Sequence, residues 1–388
     1  MLNKKRLLTP GPTPLPEETR LALARDMIHH RKKEFQDLML ATQKKARTLF
    51  GCDGPVLPLA CSGTGAMTAA AYSLFNPGDS VLVIESGKFG ERWAEIAKSR
   101  GLIVETLATS WGKTVRTEDV EERLAKNKEL KGILVQVCET STGALQPIKE
   151  LGKIKGKALL VADGISAVGV SPCPMDAWNI DCLLTGSQKG LMLPPGLSLL
   201  ALSPKSWKAV EETSPGCYYF DLLKEKKALE KGQTSFTTPI NLIYGLAASL
   251  DLMSDLAAVY RKQWALTALV RRGATAMGLE PFAKENFAWG VTSIKMPEGA
   301  DGQKIIKIAE SRFGVYMAGG QDRLKGKIVR IGHMGWVDWG DCMAGLYALA
   351  EASREAFDFV AGENWPSEAM SSYEQALRDG YPESFETA

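Results

Sequence analysis

The sequence lacks the patterns that mark metal-cluster, membrane and nucleic-acid-binding proteins. Its seven cysteines are scattered and include no C-x-x-C pair, which argues against a zinc finger or an iron–sulfur cluster and fits a reducing cytosol. The net charge of +2 gives no reason to expect a nucleic acid or an anionic membrane as a partner. No run of ~18 apolar residues occurs, and none follows the basic start, so we expect a cytoplasmic protein without a membrane span or a signal peptide.

What the chain does have is enough apolar sequence for a large core. Its 388 residues are 45% hydrophobic, which suffices for two domains. Between residues 55 and 202, short apolar strands alternate with helices, and this pattern predicts an α/β fold with a mostly parallel sheet covered on both faces. We predict an N-terminal arm (1–15), a large domain (16–255), a smaller α+β domain (256–355) and a polar tail (356–388). The tail is either disordered or a strap packed on a neighbour.

The N-terminal arm is rich in residues that prevent regular structure. Residues 7–14 contain three prolines and one glycine, so the segment is neither a helix nor a central strand. We predict an extended arm with fixed turns. It is either a surface strap or a segment lining a subunit interface or the mouth of a site.

A lysine lies in a loop between an apolar strand and a Pro/Gly-rich turn. The strand covers residues 180–184, the loop residues 185–190, and the turn residues 194–196. Lys189 is therefore flanked by small residues where the chain leaves a strand. Such a lysine is either solvated or placed to reach a bound carbonyl, and the loop alone leaves both possibilities open.

Two further loops fall at the predicted carboxyl ends of strands, where open α/β sheets bind ligands. Ser62, Gly63 and Thr64 open a helix, and this turn is either a packing feature or a phosphate site at the helix N-terminus. No Gly-Lys-Ser/Thr follows, so it is not a Walker loop, and the dinucleotide fingerprint is incomplete. Asp163 ends an apolar strand, where it is either a cap, a salt-bridge partner or a ligand-binding carboxylate.

Together these loops match the requirements of pyridoxal phosphate. A lysine forms the Schiff base, a carboxylate holds the pyridine nitrogen protonated, and a helix N-terminus takes the phosphate. An aromatic side chain covers the ring, and Phe89 is placed for that role. Taken alone, Phe89 is better explained as a core residue than as a platform for the cofactor.

Over residues 5–352 the sequence resembles the class V branch of fold-type I pyridoxal-phosphate aminotransferases, especially the alanine–glyoxylate and serine–glyoxylate aminotransferases. The resemblance implies a large domain with a mostly parallel seven-stranded sheet and a smaller α+β C-terminal domain. The matching segments are residues 9–12, 62–65, 87–90, 139–143, 163, 186–189 and 329–332.

The resemblance also implies a role for each matching residue. Lys189 and Asp163 are the expected catalytic residues, and Arg330 and Ser141 the expected substrate-carboxylate binders, since a guanidinium grips a carboxylate bidentately. Other cofactor contacts are implied for Ser62, Gly63, Thr64, Phe89, Ser141, Ile165, Gln188 and Thr237. Thr237 is expected to reach across from the second subunit of a homodimer.

Two positions depart from the family pattern. Phe89 replaces a tryptophan or histidine of some relatives, so it stacks but offers no N–H. Thr234 replaces a tyrosine near the phosphate, so a hydrogen bond there is lost or altered. His333 follows Arg330 closely and is either a turn histidine satisfied by the backbone or a substrate contact.

The predicted function is an aminotransferase that moves the amino group of a small amino acid, alanine or serine, to a 2-oxo acid, glyoxylate or pyruvate, through a Schiff base on Lys189. One alternative is a cysteine desulfurase or β-lyase, which needs a mobile cysteine, and Cys342 is the only cysteine in the predicted C-terminal domain. The other is a non-catalytic subunit that keeps the fold. The sequence does not predict which donor and acceptor are preferred.

Overall fold

The structure, a computed structural model, describes residues 4–214 and 216–385. In chain order its strands are β1 (Arg6–Leu7), β2 (Val56–Leu59), β3 (Ser80–Glu85), β4 (Ile103–Ala108), β5 (Leu130–Gln136), β6 (Cys138–Glu139), β7 (Ala144–Leu145), β8 (Leu159–Asp163), β9 (Cys182–Gly186), β10 (Ser198–Leu202), β11 (Glu280–Pro281), β12 (Val291–Lys295), β13 (Val315–Tyr316), β14 (Ala318–Gly319) and β15 (Ile328–Gly332). Its helices are α1 (Glu17–Leu23), α2 (Lys33–Phe50), α3 (Gly63–Leu74), α4 (Lys88–Ser99), α5 (Thr117–Lys126), α6 (Ile148–Ile154), α7 (Pro204–Glu212), α8 (Leu222–Leu229), α9 (Ile240–Leu252), α10 (Leu256–Ala276), α11 (Gly302–Phe313), α12 (Trp339–Phe357) and α13 (Trp365–Asp379).

A seven-stranded sheet forms the centre of the N-terminal two thirds. Its spatial order is β2-β10-β9-β8-β5-β3-β4, and every pair is parallel except those made by β10, which runs antiparallel to both neighbours. All residues of β8 and β9 are buried, because both faces of the sheet carry helices. The predicted α/β fold with a mostly parallel seven-stranded sheet is confirmed.

A second, smaller sheet lies in the C-terminal part. Strands β11, β12, β15 and β14 are neighbours in that order, and the pairs are antiparallel. Its inner face packs on a separate apolar cluster that includes Leu266 of α10, Ile305 of α11 and Leu346 of α12. Helices on one side of an antiparallel sheet make an α+β layer. The exact domain boundaries stay predictions.

The N-terminal arm joins the two parts. β1 pairs in parallel with β13, and Gly332 at the end of β15 donates its N–H to the carbonyl of Leu8 at 2.7 Å. Further along, the N–H of Thr13 donates to the carbonyl of Gln188 at 3.2 Å. The predicted alternatives were a surface strap and a segment lining a subunit interface or the mouth of a site. The arm lies beside the lysine loop, and its place at a subunit interface stays a prediction.

The polar C-terminal segment is ordered over most of its length. α13 packs on α10, and Ala369 of α13 is fully buried there. Beyond the helix, the rings of Tyr381 and Phe385 lie 5.6 and 5.1 Å from Trp289. The segment is thus a strap on its own chain rather than a disordered tail; residues 386–388 lie outside the described residues.

None of the described helices alone has both the length and the hydropathy that a membrane span requires. Helices α9 and α10 meet them only as a pair, and the pair is bent by 84° at the break between them.

Candidate active site

The strand order brings the predicted lysine and carboxylate to one edge of the sheet. β8 ends at Asp163, which is in register with Gln136 of β5 and Leu184 of β9, and the three strands are parallel. Lys189 follows the end of β9 by three residues. Parallel strands present their carboxyl ends at the same edge, so Asp163 and the Lys189 loop converge there.

The Lys189 side chain is half-buried, and charged groups of both signs influence its amine. The pKa of Lys189 is lowered to about 8, mainly by burial; the charges of Arg330 and Arg92 act in the same direction, while those of Cys138 and Asp163 oppose the shift. Its Nζ donates a hydrogen bond to the carbonyl of Pro10. Among the described residues it forms no ion pair within salt-bridge distance. A lysine of this kind carries a substantial neutral fraction near pH 8 and is therefore a usable nucleophile and base.

The N-terminal arm forms one wall beside this amine. Gly11 has φ +115°, and a Cβ at that position would run into the side chain of Lys189. The Thr13 hydroxyl donates to the carbonyl of Lys189 at 3.0 Å. Glycine is required at residue 11 both for its backbone conformation and for this close approach. The arm is thus part of the site.

Asp163 is a buried carboxylate with few partners. It is 4% exposed, and the N–H of Ile165 donates to its Oδ1 at 2.8 Å. No described residue donates to Oδ2. Burial raises the pKa of Asp163 to about 7, and the charge of Glu139 acts in the same direction. Such a carboxylate fits a ligand that brings a cationic N–H donor.

The start of α3 forms a cradle with donors that no described residue uses. α3 begins at Gly63, and the preceding Ser62 makes no side-chain cap, so the first N–H groups of the helix are free of a capping oxygen. A Cβ on Gly186 would lie 3.6 Å from the Cα of Gly63 and 3.0 Å from Oε1 of Gln188. Gln188 Oε1 is buried without a partner, and Ile165 packs directly on Gly63. A helix N-terminus with close glycines and a free carboxamide suits an anion.

The backbone at Phe89 is held by the carboxylate of Glu139, a residue for which the sequence predicted no role of its own. Glu139 is fully buried and accepts hydrogen bonds from the N–H groups of Phe89 and Gly90 at 3.1 Å and of Ser141 at 3.2 Å. The Ser141 hydroxyl also donates to Glu139 and accepts from the N–H of Lys88 at 3.0 Å. The network joins the first turn of α4, which carries Phe89, to the loop that carries Ser141.

Arg330 keeps part of its guanidinium available. The side chain, on β15, is 7% exposed; Nε donates to the carbonyl of Gly319 at 2.9 Å and Nη1 to that of Thr140 at 2.8 Å. Burial lowers the pKa of Arg330 to about 10, while Glu139 opposes that shift. Nη2 donates to none of the described residues. A carboxylate is the ligand that such a partly paired guanidinium binds best.

Arg92 is a site residue that the sequence did not reveal. Its guanidinium lies 4.8 Å from the ring centroid of Phe89, and Nη1 is 3.3 Å from the hydroxyl of Thr64. The only sequence signal was the spacing of three residues between Phe89 and Arg92, which places both on one face of a helix. That spacing occurs in every helix and predicts no site by itself.

Thr237 does not join the other predicted residues within one chain. It is exposed and lines a small cleft with Ala60, Tyr219 and Phe220. Thr234 is buried, and its hydroxyl donates to the carbonyl of Phe236 at 2.7 Å. The role of Thr237 therefore stays a prediction.

His333 is packed inside the protein. It is fully buried, its Nε2 lies 2.9 Å from the hydroxyl of Thr292, and its Nδ1 lies 3.3 Å from Nε2 of Gln263. Burial lowers the pKa of His333 to about 3, so the ring is neutral at ordinary pH. Both ring nitrogens have protein partners, which favours the structural interpretation over a substrate contact.

Cys342 is unsuited to the desulfurase alternative. It is fully buried in α12, inside the apolar cluster of the C-terminal part, and burial raises the pKa of its thiol far above the ordinary value. A desulfurase needs a mobile, ionisable cysteine beside the site. This residue meets neither condition.

The residues present fit pyridoxal phosphate. The uncapped start of α3 and the unpartnered carboxamide of Gln188 suit the phosphate, and the under-bonded Asp163 suits a protonated ring nitrogen. The half-buried ring of Phe89 offers a stacking face, and Lys189 the amine. Two cavities, of about 740 and 730 Å³, lie away from these residues: the first is lined by Arg47, Tyr260 and Phe385, and the second by Trp111 and Phe282.

Comparison with known proteins gives consistent matches along the chain. The family model described as Aminotransferase class-V matches residues 18–333. The serine–glyoxylate aminotransferase of Methylorubrum extorquens is 35% identical, over 86% of this chain and 87% of that protein. The soluble hydrogenase 42 kDa subunit of Anabaena cylindrica is 37% identical, over 93% and 97%. The crystal structure of an aspartate aminotransferase of subgroup IV from Thermus thermophilus superposes with a TM-score of 0.85 at 36% identity, covering 91% of this chain and all of that one.

Proposed function

This chain belongs to the class V aminotransferase family, and on that premise we propose that it moves the amino group of a small amino acid, alanine or serine, to a small 2-oxo acid such as glyoxylate or pyruvate. As a member of that family it is a pyridoxal-phosphate-dependent transaminase. When bound, the cofactor supplies an electron sink for the carbanion that forms when the substrate Cα loses its proton. The residues of the chain would bind and orient the substrate and the cofactor, and would move that proton.

One observation carries the proposal: the strand order brings Asp163 and the Lys189 loop to one edge of the sheet, and Arg330 donates to the carbonyl of Thr140, four residues after the end of β5. Lys189 would hold the cofactor and, once its amine is free, take the proton from the substrate Cα. A pKa of about 8 suits that role, because a base is most effective when its pKa is near the working pH. Asp163 would hold the ring nitrogen, and the start of α3 with Gln188 the phosphate.

The substrate carboxylate is assigned to Arg330. Its Nη2 has no partner among the described residues, and the two carbonyls that hold Nε and Nη1 fix the plane of the guanidinium. A pre-oriented fork binds a carboxylate with less loss of side-chain entropy than a flexible cation does. Close packing of Gly11 on Lys189 restricts the space beside the amine and supports a small substrate.

We also propose that the chain forms a homodimer and acts in the cytoplasm. Thr237 and the neighbouring Tyr219 are exposed on one face, where a second copy of the chain would bring Thr237 to the partner's phosphate. The described cysteines are all unpaired, as suits a reducing compartment.

The two alternatives lack support from this chain. A desulfurase would require a reactive cysteine, and Cys342 is enclosed in an apolar core. The name hydrogenase subunit belongs to the relative from Anabaena. In this chain, the described residues contain no group of three or more His, Cys, Asp or Glu side chains arranged to hold a metal.

Half-reaction spectra test the proposal. The protein with bound cofactor is mixed, without any oxo acid, with alanine, serine or aspartate in separate samples, and the yellow absorbance of the lysine-bound cofactor is followed. We expect alanine or serine to bleach it and glyoxylate or pyruvate to restore it. Lys189→Ala should show neither the absorbance nor turnover. Bleaching by aspartate alone would contradict the proposed donor, and turnover by the Lys189→Ala variant would contradict the mechanism.

A further inference from the structure

The guanidinium of Arg92 touches two parts of the proposed cofactor site at once. It lies 4.8 Å from the centroid of the Phe89 ring, and its Nη1 is 3.3 Å from the Thr64 hydroxyl at the start of α3. Phe89 and Arg92 are one turn apart on α4, so the helix presents both on the same face. The side chain is half-buried, which leaves it reachable by a ligand in the site.

Most of the hydrogen-bonding capacity of Arg92 is unused. A guanidinium has five N–H donors, and the described residues take up one of them, in the long bond to Thr64. No described carboxylate lies within salt-bridge distance of it. Arg100, which directly follows the last residue of the same helix, shows the contrast: it donates to the carbonyls of Phe75 and Ser214 at 3.0 Å each.

The cradle beside Arg92 lacks a charged side chain of its own. Ser62, Gly63, Thr64 and Gln188 are all neutral, and a helix N-terminus supplies only about half a positive charge. A phosphate carries close to two negative charges at neutral pH. The positive charge of Arg92 also reaches the centre of the site, because it contributes to the lowered pKa of Lys189 and opposes the rise in the pKa of Asp163.

We propose that Arg92 is a ligand of the cofactor phosphate and supplies the positive side chain that the cradle otherwise lacks. Its planar fork binds two phosphate oxygens, while contact with Phe89 fixes the orientation of the guanidinium. The proposal rests on the pyridoxal phosphate assigned under the proposed function. A side-chain carboxylate of an acidic amino donor is the other anion that could reach a free guanidinium here, and the test separates the two.

The test compares cofactor binding with and without the phosphate group. Apo-protein is titrated with pyridoxal phosphate and with pyridoxal, and binding is followed by quenching of tryptophan fluorescence. Arg92→Gln should weaken pyridoxal phosphate binding by about 10- to 100-fold, the loss typical of a charge-assisted hydrogen bond, and leave pyridoxal binding unchanged. Arg92→Lys, which keeps the charge but not the fork, should fall between. Inorganic phosphate should compete with pyridoxal phosphate less well in Arg92→Gln than in the unmodified protein.

Lys98→Gln is the matched control, since it removes an exposed cation from the same helix outside the site. It should bind both compounds as the unmodified protein does. Equal weakening of pyridoxal and pyridoxal phosphate in Arg92→Gln would overturn the proposal, because Arg92 would then act by orienting Phe89. Unchanged cofactor binding with a raised KM for aspartate alone would also overturn it and assign Arg92 to the donor. An unmodified apo-protein that binds no pyridoxal phosphate would instead refute the proposed function itself.

Discussion

Two carboxylates are buried near the carboxyl edge of the seven-stranded sheet, and they differ in their hydrogen-bond donors. One is at the end of β8, and the other is on the short strand β6, just beyond the end of β5. Asp163, on β8, receives one backbone N–H, from Ile165. Glu139, on β6, receives three backbone N–H groups and the hydroxyl of Ser141. Burial raises the pKa of both groups, and in Glu139 the four donors act against that shift.

The difference separates a structural carboxylate from one that awaits a ligand. A buried carboxylate with a full set of donors contributes to the fold, because removing it leaves those donors unsatisfied. A buried carboxylate with one donor is unfavourable in its charged form until another partner arrives. Asp163 is therefore the residue that a cationic ring nitrogen would stabilise, and Glu139 the residue that holds the surrounding elements in place.

Replacing Asp163 should have the largest effect on the reaction. Asp163→Asn keeps the volume and removes the charge, so under the proposed function the ring nitrogen would lose the partner that keeps it protonated. We expect the half-reaction rate with alanine to fall by about 10²- to 10³-fold, as when one pre-organised electrostatic group is lost. Stopped-flow absorbance measures it, with Asp53→Asn on the exposed surface as the charge control. A rate within tenfold of the unmodified protein would remove Asp163 from the catalytic residues.

The same substitution should change how stability depends on pH. In apo-protein the pKa of Asp163 is about 7, against about 3.9 in an unfolded chain, so the folded state binds the proton more tightly. The free energy of unfolding should then fall as the pH rises from about 4 to about 7, by at most about 4 kcal/mol, and stay level above pH 7.

Denaturant unfolding of apo-protein at several pH values measures this contribution. Because other groups titrate in both proteins, the difference between Asp163→Asn and the unmodified chain isolates it. The two should be closest in stability at pH 4, and the variant should become relatively more stable toward pH 7. A difference independent of pH would show that Asp163 does not hold its proton more tightly in the folded state.

Much of the central site follows from strand order, which the sequence makes readable. Asp163 and Lys189 each follow an apolar run, and parallel strands bring such ends together without any knowledge of side-chain packing. The same reasoning predicted the sheet and the start of α3. The role of Arg330 was predicted only from the family resemblance, since no periodicity in the sequence relates a strand of the second sheet to the edge of the first.

Contacts between distant segments could not be predicted. The carbonyl of Pro10 meets Lys189 because the arm crosses between the two sheets, and proline-rich sequence predicts an extended path but not its end point. Glu139 belonged to a recognised motif, but its four donors come from α4 and from its own loop, so its role depends on packing. The segment after residue 356 was predicted to be polar, but its apolar side chains Trp365, Ala369 and Ala376 recur on one face of α13 and are buried there.

Replacing Glu139 should act on stability more than on chemistry. Glu139→Gln keeps the shape but offers one acceptor oxygen where the carboxylate has two. Its NH₂ group then faces either the N–H groups of Phe89 and Gly90 or that of Ser141. We expect the free energy of unfolding to fall by about 1–3 kcal/mol, the cost of leaving a buried donor unsatisfied. Urea unfolding measures it, with Glu95→Gln on the exposed face of α4 as control. If the variant were as stable as the control, while losing as much activity as Asp163→Asn, the roles of the two carboxylates would have to be exchanged.

The smallest effect is expected at Ser141, and it decides whether this residue serves the Glu139 network or contacts the cofactor or substrate. Its hydroxyl donates to Glu139 and accepts from the N–H of Lys88 at 3.0 Å, so both of its ordinary roles are filled inside the protein. Ser141→Ala should therefore lower the free energy of unfolding by about 1 kcal/mol and change kcat/KM for alanine by less than about tenfold. A direct contact with cofactor or substrate, as the resemblance implies, would instead show as weaker pyridoxal phosphate binding or a raised KM with little change in stability. Measuring stability and KM on the same preparation distinguishes the two, because the Glu139 network affects the first and a ligand contact the second.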